Sequence, residues 1–175
     1  MTRRWFGVAI LIAIGLACRG GPSPEDARRL VMTYLGKVTE AYRSSDEQIV
    51  DALVSEPQAL KLVGLIGVKR DADVYLDAQL LDINFEKIAP GKDRIEVETR
   101  ERWHYLDRKI GTGAQVGPDS SDRYAVRYVF ARKDGKWILD QLSFAAPPEV
   151  GRTTAPLPTD FRSLHGLPPK EEKAR

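Results

Sequence analysis

The chain is 175 residues long, carries 27 Lys and Arg against 25 Asp and Glu, and has a single cysteine. One cysteine excludes an intramolecular disulfide framework, and the near balance of charge excludes the strongly basic surface that nucleic-acid binding requires. The length fits one domain with flanking segments.

Arg3 and Arg4 precede an apolar run, 5–17, that ends abruptly at Arg19-Gly20-Gly21-Pro22. A basic start, a short apolar core and small residues before the break follow the order of a secretory signal. At 13 residues, the run is shorter than the ~20 that a helix needs to cross the hydrocarbon core. Its end, Gly15-Leu16-Ala17-Cys18, resembles the lipobox of bacterial lipoproteins. One departure stands out: that family prefers Leu three residues before the cysteine, where this chain has Gly15. The resemblance implies a signal peptide over 1–17, acylation of Cys18, and a cell-envelope location on a membrane, the outer one in a cell that has two. More than one acyl chain anchors stably where a single chain is marginal. The other reading is an ordinary signal peptide cut after Ala17, with Cys18 incidental. Removing 1–17 takes Arg3 and Arg4 with it and leaves 25 basic against 25 acidic residues, so no nucleic-acid partner is expected. Residues 18–22 are then a tether spanning at most ~20 Å.

A domain is expected over 23–146. Ser23-Pro24-Glu25-Asp26 reads as a helix start, with an N-cap, a proline in the first turn and acids beside the helix dipole. Ala27, Leu30, Val31, Tyr34, Leu35, Val38 and Ala41 then recur at the spacing of one apolar face. Ser45-Asp46-Glu47-Gln48 suggests a capping box and a second, short helix. A third is expected from Pro57 to Val68, apolar nearly all round, and so either buried or lining a pocket.

From residue 73 the period changes to two. A long strand over 74–88 contains a slip in alternation at Leu80-Leu81, the mark of a bulge. Pro90-Gly91-Lys92-Asp93 makes a turn, and 94–106 alternates cleanly. Ile95, Val97, Thr99, Glu101, Trp103 and Tyr105 lie on one face; Glu96, Glu98, Arg100, Arg102 and His104 lie on the other. Residues 107–122 hold three glycines and a proline and read as a mobile connection. A third strand covers 123–132, Asp134-Gly135 makes a hairpin turn, and a fourth covers 137–145. Residues 147–175 are Pro-rich without sustained periodicity and are expected to be mostly disordered, with 160–164 able to dock. The fold class is therefore α+β: N-terminal helices packed on a curved antiparallel sheet.

This order of elements, together with the Tyr124-x-Val126-x-Tyr128-Val129-Phe130 strand and the Asp134-Gly135-Lys136-Trp137 hairpin, resembles the nuclear-transport-factor-two-like superfamily, the cystatin-like α+β cone. The resemblance covers about 23–146. That superfamily contains cyclases and isomerases as well as non-catalytic binding domains, so it implies a fold and leaves the chemistry open.

Glu101 is the first candidate site residue, because a carboxylate on the apolar alternation faces the interior of a cone. The competing reading pairs it with an arginine such as Arg132 near an open end. Trp103, Tyr105 and Tyr128 pack as core, or line a pocket if the cone is hollow. Asp140, on the fourth strand, matches a position where related cyclases place an acid. His104 reads as a solvated residue and His165 lies in the tail, so no metal site and no cofactor are expected. The sequence contains no phosphate loop, nucleophile elbow or repeat.

The expected function is a non-catalytic, membrane-anchored envelope lipoprotein that binds a protein partner or a small apolar ligand, with a homodimer possible through the exposed sheet face. The alternatives are a cyclase- or isomerase-like enzyme using Glu101 or Asp140 as base, and a purely structural subunit of an envelope complex.

Overall fold

A computed structural model describes residues 21–144 and 149–151. The signal-like segment, Cys18 and most of the Pro-rich tail lie outside the described residues.

Helix α1 spans Pro24–Ser44. Its start is the expected one: Ser23 Oγ accepts from the Asp26 N–H, and Asp26 accepts from the Ser23 N–H. The Ser23 hydrogen bonds, with Arg29 adding to them, hold the Asp26 carboxyl at about 2. The apolar stripe Ala27, Val31, Tyr34, Leu35, Val38 and Ala41 is buried. The helix ends at Ser45, in the left-handed region at φ 55°.

Ser45 therefore terminates α1 and does not cap a second helix. The cap belongs to Asp46, whose side chain accepts from the Gln48 N–H, and it starts only a single 3₁₀ turn, Glu47–Val50. The linker beyond it runs along β4, Lys136–Phe144: Leu139 N–H donates to Leu53 O, and Ser55 N–H donates to Leu139 O. It thereby covers backbone groups at the sheet edge. Helix α2 spans Glu56–Asp71 and buries Gln58, Leu62 and Ile66, while Leu60 and Val68 face solvent.

The sheet has the order β1-β2-β3-β4, with β1 Val74–Pro90, β2 Arg94–Lys109, β3 Gln115–Lys133 and β4 Lys136–Phe144. The β1–β2 register shifts between Leu80 and Asp82, where the alternation slips, and again between Phe85 and Lys87. Such bulges bend the strand and curl the sheet.

The expected connection over 107–122 is instead a continuation of β2 and β3 into a longer hairpin. Gly111 and Gly113 turn at positive φ, and the Lys109 N–H donates to Ala114 O. Tyr105 pairs with Ser120 and Asp107 with Val116, so Gly117, Pro118 and Asp119 bulge out of the ladder opposite Leu106. The bulge accommodates a proline that has no N–H to give. Beyond β4, Glu149–Gly151 forms β5 on Ser121–Arg123 of β3.

The inner face of the sheet and α1 form the core around Val31, Ile95, Val97, Tyr128, Phe130 and Leu139. Arg43 of α1 and Arg108 of β2 converge on the buried Asp77 at 3.0 and 2.7 Å, locking the end of the helix to β1. Burial pushes the Asp77 carboxyl up, but the hydrogen bonds from Arg108 and Arg43 outweigh it and hold it below its ordinary value. The outer face carries ion pairs, across strands from Arg127 to Glu96, Arg100 to Glu86 and Lys87 to Glu98, and along β2 from Arg94 to Glu96.

Candidate functional site

Strand alternation and register place the site. On β2 the inward positions are Thr99, Glu101, Trp103 and Tyr105; on β3, Glu101 pairs with Tyr124 and Trp103 with Asp122. The second half of α1 and one side of α2 close over these residues, leaving a cavity of about 540 Å³. The cone is hollow, and its lining is mainly aromatic and aliphatic, with Tyr34, Tyr42, Trp103, Tyr105, Tyr124 and Tyr128 contributing rings.

Glu101 is 4% exposed and lies at the wall. Its Oε1 accepts from Thr99 Oγ1 at 2.6 Å and from Tyr128 OH, and its Oε2 accepts from Trp103 Nε1 at 2.8 Å. These partners are two hydroxyls and an indole, so the pairing with Arg132 does not occur; Arg132 lies opposite Trp137 in the β3–β4 hairpin. A carboxylate offers about four lone-pair positions, and three are already engaged.

Burial and the adjacent Glu101 carboxylate push the Tyr128 phenol well above its ordinary value. Burial, with Tyr42 and Glu101 adding to it, also raises Tyr34. Burial pushes Tyr42 and Tyr124 up to about 12. Tyr34 meets Tyr128 edge-on at 6.1 Å, and Trp103 stacks on Tyr105 at 5.9 Å.

Four residues singled out from the sequence, Glu101, Trp103, Tyr105 and Tyr128, thus share one cavity. Asp140 does not join them. Its side chain is exposed, and its backbone carbonyl accepts from Ser55 Oγ and Gln58 Nε2, so its role is to seat α2 on β4. His104 stands outside the cavity, with Nε2 2.9 Å from Asp119. Cys18 and His165 lie outside the described residues.

Sequence reasoning missed Asp122, whose Oδ2 accepts from Tyr124 OH at 2.9 Å. It continues the alternation Tyr128, Val126, Tyr124 by one more step, but it fell in the segment read as a connection. Lys61 and Lys69 of α2 also line the cavity; Lys69 is held by Asp107 at 2.6 Å, and Lys61 donates to Gln58 Oε1 at 3.2 Å.

Two helices on a curled four-stranded antiparallel sheet around a hollow interior define a nuclear-transport-factor-two-like fold. One solved structure shares this fold. The intermembrane-space region of the chloroplast protein ARC6 matches with a TM-score of 0.60 at 11% identity, over 70% of this chain and 96% of that one. A conserved protein from Planctomyces limnophilus matches at 0.48 and 17% identity, over 69% and 98% of the two chains. The association domain of C. elegans CaMKII matches at 0.38 and 19% identity, over 70% and 97%. No protein-family model and no curated relative matches the chain.

Proposed function

We propose that the protein is a membrane-tethered, non-catalytic binding module whose cone takes up a small, largely apolar ligand. The observation that carries this reading is the cavity itself: about 540 Å³, walled mainly by aromatic and aliphatic side chains. Pockets of this size and composition are where small molecules bind.

The arrangement of donors favours binding over catalysis. An isomerase or cyclase needs a base with a lone pair aimed at the substrate and preorganised donors for the developing oxyanion. The Thr99 hydroxyl, the Tyr128 hydroxyl and the Trp103 indole all donate to Glu101 instead. These donors are taken up by the acid, which leaves none of them for an oxyanion.

Tethering through a lipid on Cys18 is compatible with this architecture. A Cβ on Gly21 would lie 2.9 Å from Gly91 O, so the chain enters beside the β1–β2 turn. The cavity lies toward the other end of β2, roughly 30 Å along the strand at ~3.3 Å per residue. A domain held by its N-terminus would present the ligand site away from the anchored end.

A neutral, environment-sensitive naphthalene dye (prodan) titrated into the full chain should show saturable, blue-shifted emission. Leu62→Trp, which fills the cavity, should abolish it. Equal emission from the two proteins would overturn the binding reading. Intact mass tests the anchor separately: acylated Cys18 at the N-terminus is expected, and a native chain that retains 1–17 or starts at an unmodified amine contradicts it.

A further inference from the structure

Asp122 and Glu101 put two carboxylates on the wall of one cavity, and among the described residues no basic side chain answers either of them directly. Glu101 receives only neutral donors, and one lone-pair position on Oε2 stays open. Asp122 Oδ2 is taken by Tyr124, but Oδ1 is buried and is the one buried side-chain oxygen or nitrogen among the described residues without a hydrogen-bond partner. Buried polar atoms in native proteins are almost always paired, and an orphan calls for an explanation such as an absent ligand.

Around these oxygens stand the rings of Tyr34, Tyr42, Trp103, Tyr105 and Tyr124. Aromatic faces attract cations through their quadrupole, more strongly where water is excluded. The two lysines at the cavity do not cancel this field. Lys69 is neutralised by Asp107 at 2.6 Å, and Lys61 has an exposed side chain that bonds Gln58.

We propose that the cavity is a receptor for an organic cation: a primary or secondary amine whose ammonium pairs with the Asp122 carboxylate and that carries an apolar or aromatic body. The inference rests on the ligand-binding reading above and adds the charge of the ligand to it. The ammonium sits between Asp122 and the open position of Glu101, and the body of the ligand lies against Leu35, Val38 and Leu142, which line the same cavity.

Calorimetric titration of the full chain, blanked against the same detergent buffer, tests it with three probes of one shape: 2-phenylethylamine, 2-phenylethanol and 3-phenylpropionate. The amine should bind at least about tenfold more tightly than the alcohol, as one charge-assisted hydrogen bond warrants, and the carboxylate should bind weakest. Asp122→Asn should remove most of the amine's advantage over the alcohol. Lys61→Glu, at an exposed position where folding is not at stake, should tighten the amine and weaken the carboxylate. Alcohol or carboxylate binding as tightly as the amine, or an amine preference that ignores both substitutions, would overturn the cation while sparing the ligand-binding reading. Absence of saturable heat with all three probes would overturn both.

Discussion

At Glu101 a buried charge is stabilised without a counter-ion. Desolvation of a carboxylate is costly, and here hydrogen bonds from Thr99, Trp103 and Tyr128 offset it. Removing one donor should show how much each matters. Tyr128→Phe keeps the ring and its edge contact with Tyr34 but deletes a hydrogen bond to a charged group, worth about 1.5–3 kcal/mol. Urea unfolding should report a loss of that order; a change within error would mean that the hydroxyl does not stabilise the carboxylate. The carboxylate was legible in the sequence because it stood on an apolar alternation. Thr99 and Trp103, two residues to either side on the same strand face, were legible with it. Tyr128 as a partner was not, because strand register is a tertiary property that no single strand encodes. Asp140 misled for the same reason: its place on a strand was visible, but the direction of its side chain was not.

Elements with strong periodicity emerged as expected, α1 and the four long strands above all. Where the reading failed, tertiary context outweighed local composition. Glycine, proline and serine in 107–122 read as a loop, yet the positive-φ glycines and one bulge let the hairpin run through them. Ser45-x-x-Gln48 matched a capping box by spacing, but the left-handed Ser45 had already closed α1. Helix α2 gives a test at this scale. A Cβ on Gly64 or Gly67 would meet nothing within 4 Å, so Gly64→Ala and Gly67→Ala should each stabilise the domain by about 0.5–1 kcal/mol through helix propensity. A lowered urea midpoint for either would show that α2 has less room than its surroundings indicate.

The molecule as a whole packs five of its six tyrosines around one hollow, and this should shape its response to alkali. Tyr42 and Tyr124 are raised to about 12 by burial, against about 10 in an unfolded chain. The unfolded state therefore releases these protons first as pH rises. Their contribution to stability is complete below pH ~10 and is lost progressively as the pH climbs through ~12. Thermal unfolding followed between neutral and strongly alkaline pH should show a steep fall in Tm across that window. Phenols that titrate near 10 without loss of Tm would mean that the tyrosines are not shielded.

Ligand binding requires that the cavity be open to entry. Methyl-resolved NMR of the full chain during titration with 2-phenylethylamine tests this most directly. Saturable shifts are predicted for Leu35, Val38, Leu62 and Leu142, which line the hollow, with Ile95 and Val97 unmoved in the closed core. Shifts confined to the ion-paired outer face of the sheet, or none at any concentration, would contradict it.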